Sequence, residues 1–172
     1  MNGISDASIE TRLGELEDRL AITDVLYQYA TGLDQRDWDA LRECFTEDGI
    51  ADFLEFGGVN EGQEAIVELC SGVLSGLDSS QHLIGNPRVT LEGDRARAVC
   101  YFQAQHFLAS PGGGNTYLVG GHYEDRLRRT SYGWRIEHRT LHCTWQDGNA
   151  GVFSEAAARL AGQAHRQRVP AR

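Results

Sequence analysis

The chain's patterning predicts an α+β fold: a cone-shaped, curved antiparallel sheet wrapped around three N-terminal helices. Two observations carry this. Up to Leu77, apolar residues recur at spacings of three and four, as on one face of a helix. After Asp78 the period falls to two, and short glycine-containing turns separate the runs. Helices first and strands after them is an α+β order. A bent sheet closing over a long helix leaves a conical cavity, a common seat for a small apolar ligand.

The elements follow in order. Residues 1–10 read as a loose lead, and 10–147 as one domain. A first helix runs from about Thr11 to Gly32: Leu13, Leu16 and Leu20 form one apolar run, continued by Ile22, Val25, Leu26, Tyr29 and Leu33. Gly32 is its expected stop. A second helix, about Arg36 to Phe45, shows Trp38, Leu41 and Phe45, and Thr46-Glu47-Asp48-Gly49 ends it. Ile50 to Phe56 reads as a strand with a turn at Gly57-Gly58. Asn60 to Glu64 opens a third helix whose apolar face is Ala65, Ile66, Leu69, Val73 and Leu77.

The meander comprises His82 to Leu91, Arg95 to Ala109, Thr116 to Thr130 and Trp134 to Gln146. Pro87 marks an edge strand or a bulge. Glu92-Gly93-Asp94 and Ser131-Tyr132-Gly133 are turns, and Ser110 to Asn115 is a mobile loop over the cavity mouth. Residues 148–172 form a tail with room for a short helix over Phe153 to Leu160 and a polar, frayed end from Gln163.

Composition narrows the function. The 172 residues are 41% apolar and 24% charged, which suits one soluble globular domain. A net charge of −9 disfavours nucleic acid and anionic membranes as partners. No apolar run reaches the length of a membrane span, and Met1 to Asp6 lacks the basic and apolar regions of a secretory signal, so a cytoplasmic location is expected. Cys44, Cys70, Cys100 and Cys143 are too widely spaced for a CxxC motif and read as reduced thiols. No histidine pair has the i, i+4 spacing on a helix with a partner acid, as in HExxH; His138 and His142 are four apart but on an expected strand, and Gly112-Gly113-Gly114 is followed by neither a lysine nor a helix. No metal and no cofactor are therefore expected.

One stretch stands out at the end of the first helix, Tyr27 to Trp38, with Tyr29 and Asp34. Another opens the meander, Ser79 to Asn86, with His82. Helix–helix–strand–helix–meander, with an acid after the first helix and a histidine opening the meander, resembles the nuclear-transport-factor-2-like (NTF2-like, cystatin-like) superfamily, and within it the SnoaL-like proteins. The resemblance covers roughly Leu13 to Gln146. Members include hexachlorocyclohexane dehydrochlorinase, bile-acid 7α-dehydratase and scytalone dehydratase. Leu33-Asp34-Gln35-Arg36 is similar to the segment holding their catalytic aspartate, and Gln81 to Asn86 to that holding their catalytic histidine. Val119 to Tyr123 and Gly133 to Arg139 resemble the last two strands, with Arg139 on a pocket arginine of the dehydrochlorinase. Tyr29 falls on the bile-acid enzyme's catalytic tyrosine, where the dehydrochlorinase has a lysine. His106 lies near a second catalytic histidine of scytalone dehydratase.

The resemblance implies a cofactor-independent lyase: a dehydratase or related elimination, including loss of formaldehyde, on a small hydrophobic cyclic or aromatic substrate. His82 would be the base, Asp34 its orienter, and Tyr29 the acid or oxyanion partner, with Phe102, His106, Tyr123 and Arg139 binding substrate. An aspartate on one ring nitrogen of a histidine selects the tautomer and raises the basicity of the other nitrogen. Asp34 lies near a helix C-terminus, where the dipole raises a carboxyl pKa and an imidazole would offset it. A homotrimer or homodimer formed through the outer sheet face is expected, with the tail covering a neighbour's pocket.

Several residues keep a second reading. Asp34 is also a candidate N-cap of the second helix, with Asp37 at N3. Alternation puts His106 on the face of Phe102 and His122 opposite Tyr123, and a bulge after Arg139 would invert the placement of His138 and His142. Arg139 reads equally as a surface charge. An isomerase or polyketide-type cyclase, a ligand carrier and a dioxygenase-β-like structural subunit are the alternative functions.

Overall fold

The computed structural model describes residues 8–109 and 112–168. Ser110, Pro111, the first seven residues and the last four lie outside the described residues, as does the side chain of His165. Four helices and six strands follow in the order α1 (Ile9–Gln35), α2 (Trp38–Glu43), β1 (Phe45–Asp52), β2 (Val59–Glu61), α3 (Gln63–Leu74), β3 (Ser79–Glu92), β4 (Arg95–Phe107), β5 (Thr116–Thr130), β6 (Gly133–Gly148) and α4 (Gly151–Arg168). A short 3-10 turn, Leu54–Phe56, joins β1 to β2. The strands form one sheet in the order β2-β1-β6-β5-β4-β3. The expected α+β arrangement is the fold.

The meander β3–β6 pairs antiparallel throughout, as its alternation predicts. Along β4, Ala96, Ala98, Cys100, Phe102, Ala104 and His106 are buried and their neighbours exposed. Gly93 and Gly133 take positive φ in the two tight turns (67° and 97°). Pro87 sits on the edge strand β3, inside a register break between Gly85 and Arg88, where its missing N–H leaves no ladder bond unmade.

The first helix is longer than its pattern. Ser8 caps it by accepting the Thr11 N–H, and the helix runs on through Gly32 and Asp34. Gly32 is not the stop. A Cβ there would lie 3.2 Å from the Asp37 carbonyl and the Leu41 nitrogen, so this glycine lets α1 and α2 approach closely. The stop is Arg36, left-handed at φ 59°, whose N–H returns to the carbonyls of Gly32 and Leu33. The run Ile9, Leu13, Leu16 and Leu20 is exposed, and the buried face of α1 begins at Ile22. Periodicity marks a helical face without saying what covers it.

Between α1 and α3 the boundaries shift. The N-cap of α2 is Asp37, whose carboxylate accepts the Ala40 N–H; Asp34 is not the cap. The expected Ile50–Phe56 strand is instead β1, Phe45–Asp52, paired in parallel with β6 and antiparallel with β2. Thr46-Glu47-Asp48-Gly49 has a turn's composition, but the distant β6 recruits it with a register break between Phe45 and Ile50. On β6, burial switches parity between Ile136 and Arg139. The bulge therefore precedes Arg139 rather than following it, at the register break between Arg126 and Leu127 of β5.

The C-terminal segment is an 18-residue helix, α4, longer than the expected short one. It closes the open end of the cone. Val152 and Ala156 are fully buried, and Arg159 pairs with Asp78. Phe153 and Ala157 line this chain's own cavity. Cys44, Cys70 and Cys100 are free and buried, and Cys143 is half-buried. Among the described residues no helix is long and apolar enough to cross a membrane.

Candidate active site

The last turn of α1 and the first residues of β3 meet at the cone's mouth, and this brings Asp34 to His82. Asp34 Oδ1 lies 2.6 Å from His82 Nδ1, and Oδ2 accepts the His82 backbone N–H at 2.7 Å. The Ser80 hydroxyl donates to Oδ1 at 3.2 Å and in turn accepts from Arg36 Nη1 at 2.7 Å. Arg36 thus ends α1 and braces the aspartate at once. A left-handed non-glycine residue at such a point is backbone strain held in place by these bonds.

This geometry selects a tautomer. A carboxylate only accepts, so the proton on the His82 ring sits on Nδ1 and Nε2 carries a free lone pair. Burial raises the Asp34 pKa, but hydrogen bonds from the His82 ring, the His82 backbone and Ser80 outweigh it, and the carboxyl stays below its usual range.

His82 faces a cavity of about 400 Å³ between α1, α3, α4 and the inner sheet face. Tyr29, Phe102, His106 and Tyr123 line it as well. The walls are otherwise mostly apolar, with Phe53 and Phe56 from the β1–β2 connection, Leu69 and Val73 from α3, and Phe153 from α4. Its size and lining suit one small hydrophobic molecule.

The histidines divide sharply. The His106 ring stands edge-on to His82 at 5.6 Å between centroids and packs against Phe153 at 4.8 Å. Its Nδ1–H donates to the Tyr117 carbonyl at 3.2 Å. Burial, with some help from the nearby His82, lowers its pKa to about 4, so it is neutral at pH 7 and presents Nε2 as an acceptor. His122 and His142 lie across the sheet on its outer face, stacked on each other at 4.6 Å. His122 is therefore where alternation placed it.

Arg139 does not line the cavity. It is fully buried, held in a fork by Asp125 at 2.7 and 2.8 Å, with its guanidinium 4.0 Å from the Tyr29 ring centre and 4.2 Å from that of Tyr123. It is neither a surface charge nor a group touching cavity contents. Its charge is delivered through two tyrosines, which stand edge-to-face at 5.7 Å. Burial above all, with the neighbouring Tyr123, pushes the Tyr29 hydroxyl well above its usual pKa. Burial does the same to Tyr123. Both hydroxyls stay protonated.

Sequence reasoning missed Ser80, Asp125 and Phe153. Asp125 was within reach, because alternation from Tyr123 puts it on the inner face opposite Arg139, its cross-strand partner. Ser80 stood in the segment around His82, but nothing local marks a hydroxyl as an aspartate's second donor. Phe153 carries no local signal, since only the path of the chain after β6 brings α4 back over the cone.

Comparison with known proteins gives the same architecture. The sequence profile of the SnoaL-like domain matches residues 14–140. A relative from Penicillium crustosum, terrestric acid biosynthesis cluster protein E, is 32% identical over 146 residues, which is 81% of this chain and 92% of that one. An NTF2-like protein with a cystatin-like fold from Novosphingobium aromaticivorans superposes with a TM-score of 0.68 at 29% identity, covering 89% of this chain and 98% of that one. Hexachlorocyclohexane dehydrochlorinase LinA-type3 from Novosphingobium barchaimii has a TM-score of 0.71 at 20% identity, covering 81% and 95%, and so shares the fold. With its profile match, its cone and its helix order in agreement, the chain belongs to the SnoaL-like domain family of the NTF2-like superfamily.

Proposed function

We propose that the protein is a cofactor-independent lyase that eliminates water, or another small leaving group, from a small hydrophobic cyclic or aromatic substrate. The observation that carries this is the Asp34–His82 contact at the wall of an apolar cavity, which leaves one imidazole nitrogen free to take a proton. In the proposed step, His82 Nε2 removes a proton from the carbon next to the one bearing the leaving group. The C–H electrons become the new double bond, and the bond to the leaving group breaks. Asp34 stabilises the imidazolium that forms. The Tyr29 hydroxyl, kept protonated by burial, hydrogen-bonds the departing oxygen as charge develops on it. When the leaving group is a hydroxyl, the proton taken up by His82 is returned to that oxygen, so that water leaves and the neutral imidazole is restored.

The other residues bind and position. Phe102 stacks on Tyr123 at 4.5 Å and supplies a flat apolar wall for a ring. Neutral His106 accepts from a substrate hydroxyl. Arg139, clamped by Asp125, is a positioning residue that holds Tyr29 and Tyr123 and biases their hydroxyls as donors. A structural neighbour named for a dehydrochlorinase supports elimination chemistry on this fold. A relative from a biosynthesis cluster favours a second reading with the same base, isomerisation or cyclisation of a polyketide-type substrate. Self-association through the outer sheet face, where Leu83, Tyr101 and Trp145 are exposed, belongs to the proposal too.

The test is a screen of cyclic and aryl alcohols, steroids and polyketides, scored by new double-bond absorbance and by exchange of the acidic C–H with deuterated solvent. Turnover lost in both His82→Ala and Asp34→Asn supports the lyase. Isomerisation without loss of a leaving group supports the second reading. Ligand affinity unchanged in both variants, with no turnover by the parent chain, identifies a carrier and overturns both.

A further inference from the structure

On the outer face of the sheet, away from the cavity, three potential metal ligands converge. His122 on β5 and His142 on β6 are direct cross-strand partners, and Glu124 follows His122 by two residues on the same face. Their ligand atoms all lie within 4.8 Å of one another. Glu124 Oε1 is 3.6 Å from His122 Nε2, and its Oε2 is 3.8 Å from His142 Nε2. Both distances are too long for hydrogen bonds, so the carboxylate stands between two imidazole nitrogens without bonding either. His142 Nε2 is sealed from solvent and has no hydrogen-bond partner among the described residues. A buried ring nitrogen left unpaired is costly, and a cation is one group that would satisfy it.

We infer that His122, Glu124 and His142 form a binding site for a first-row divalent cation of the zinc type, separate from the Asp34–His82 cavity. Two imidazoles and one carboxylate are a ligand set such ions take readily, with a fourth position left to water. Ligand atoms around a tetrahedral zinc stand about 3.3 Å apart, given bond lengths of about 2.0–2.2 Å. The three side chains reach that spacing by rotation about their own torsions, from separations of at most 4.8 Å. Adjacent paired strands fix the backbones of the two histidines, and their rings now stack at 12°, so each ring turns about its side-chain torsions to bring its lone pair onto a shared ion. The sequence hides this site. Its two histidines are twenty residues apart, so only the β5–β6 register brings them together.

A bound ion would clip β5 to β6 from outside. Beside it runs a surface groove of about 510 Å³ lined by Leu83, Tyr101, His122 and Trp145, so the open position of the ion would face a partly apolar trough.

The experiment uses the full chain without an affinity tag, stripped with chelator and titrated with Zn²⁺ alone by calorimetry at neutral pH. Co²⁺ absorption serves as the geometric readout. The expected result is one ion per chain, a ligand-field spectrum of low coordination number, and a rise in Tm with added Zn²⁺. The double variant His122→Ala/His142→Ala and the milder Glu124→Gln should each weaken binding at least about tenfold. Turnover, or cavity ligand affinity, should stay unchanged. Equal Zn²⁺ affinity in parent and variants, or no saturable binding by the parent, overturns the inference. Glu124→Gln keeps the side chain's size and shape while removing its charge, so it reads the site even if the double variant folds poorly. Loss of lyase activity in His82→Ala leaves this result untouched, and the two proposals fail separately.

Discussion

Two acid–base pairs sit within the same cone, and they are built for opposite ends. Asp125–Arg139 is a forked pair with both side chains fully buried, wrapped between two tyrosine rings. Asp34–His82 joins an aspartate that is 22% exposed to a histidine on the cavity wall, with one nitrogen uncommitted. In the sealed pair the two carboxylate oxygens are taken up by Arg139 Nε and Nη2, which leaves it little freedom to change protonation. A pair at a cavity wall keeps a lone pair that a substrate can use. Burial alone therefore does not mark a catalytic group; an unspent valence facing a cavity does.

Breaking each pair in turn sharpens the contrast. The largest effect should come from His82→Ala, which lowers kcat/KM roughly 10²–10⁴-fold while Tm falls little, because Asp34 keeps the backbone N–H of residue 82 and Ser80 as donors. Steady-state kinetics with a melting curve checks both halves. Asp125→Ala should do the reverse. It strands a fully buried guanidinium and costs about 3–5 kcal/mol of stability in a denaturant titration. If Asp125→Ala were stable yet inactive, Arg139 would belong to the chemistry rather than to the frame.

Third in size is a pH effect. The folded pKa of His106 is about 4, below the value of about 6.5 expected when unfolded. Between those values the unfolded chain binds more protons, so stability is fully present above about pH 6.5 and falls as pH drops toward 4. The loss attributable to His106 is at most about 3 kcal/mol, and His106→Phe should flatten that part of the profile. Asp34, whose folded pKa is depressed, adds its own loss at lower pH as its carboxyl protonates. The smallest effect is expected from Phe153→Ala, which opens the α4 wall. It should raise KM about tenfold with little change in kcat, as for a contact equal in ground and transition states.

These pairs also show what the sequence could convey. Alternation and two glycine turns make β3 to β6 readable, and the helical face from Ile22 to Leu33 is equally plain. Tyr29, Asp34 and His82 stand out through their resemblance to a known arrangement. What escapes depends on distant pairing. β1 looks like a turn until β6 recruits it, and the bulge near Glu137 decides whether Arg139 faces inward. The leucines at 13, 16 and 20 have a core's spacing and a surface's exposure. Arg139 reads as a surface charge or a pocket residue, and the structure shows a third state that only its partner Asp125 explains.

The central claim is that Asp34 sets the tautomer of His82, and nitrogen NMR of the imidazole in the ligand-free protein tests it most directly. In the parent chain at neutral pH the ring proton should sit on Nδ1, with Nε2 bare. In Asp34→Asn the carboxamide oxygen must take the His82 backbone N–H, so its NH₂ group faces Nδ1 and the proton should move to Nε2, with the base lost. A parent chain whose His82 proton already sits on Nε2 would contradict the account.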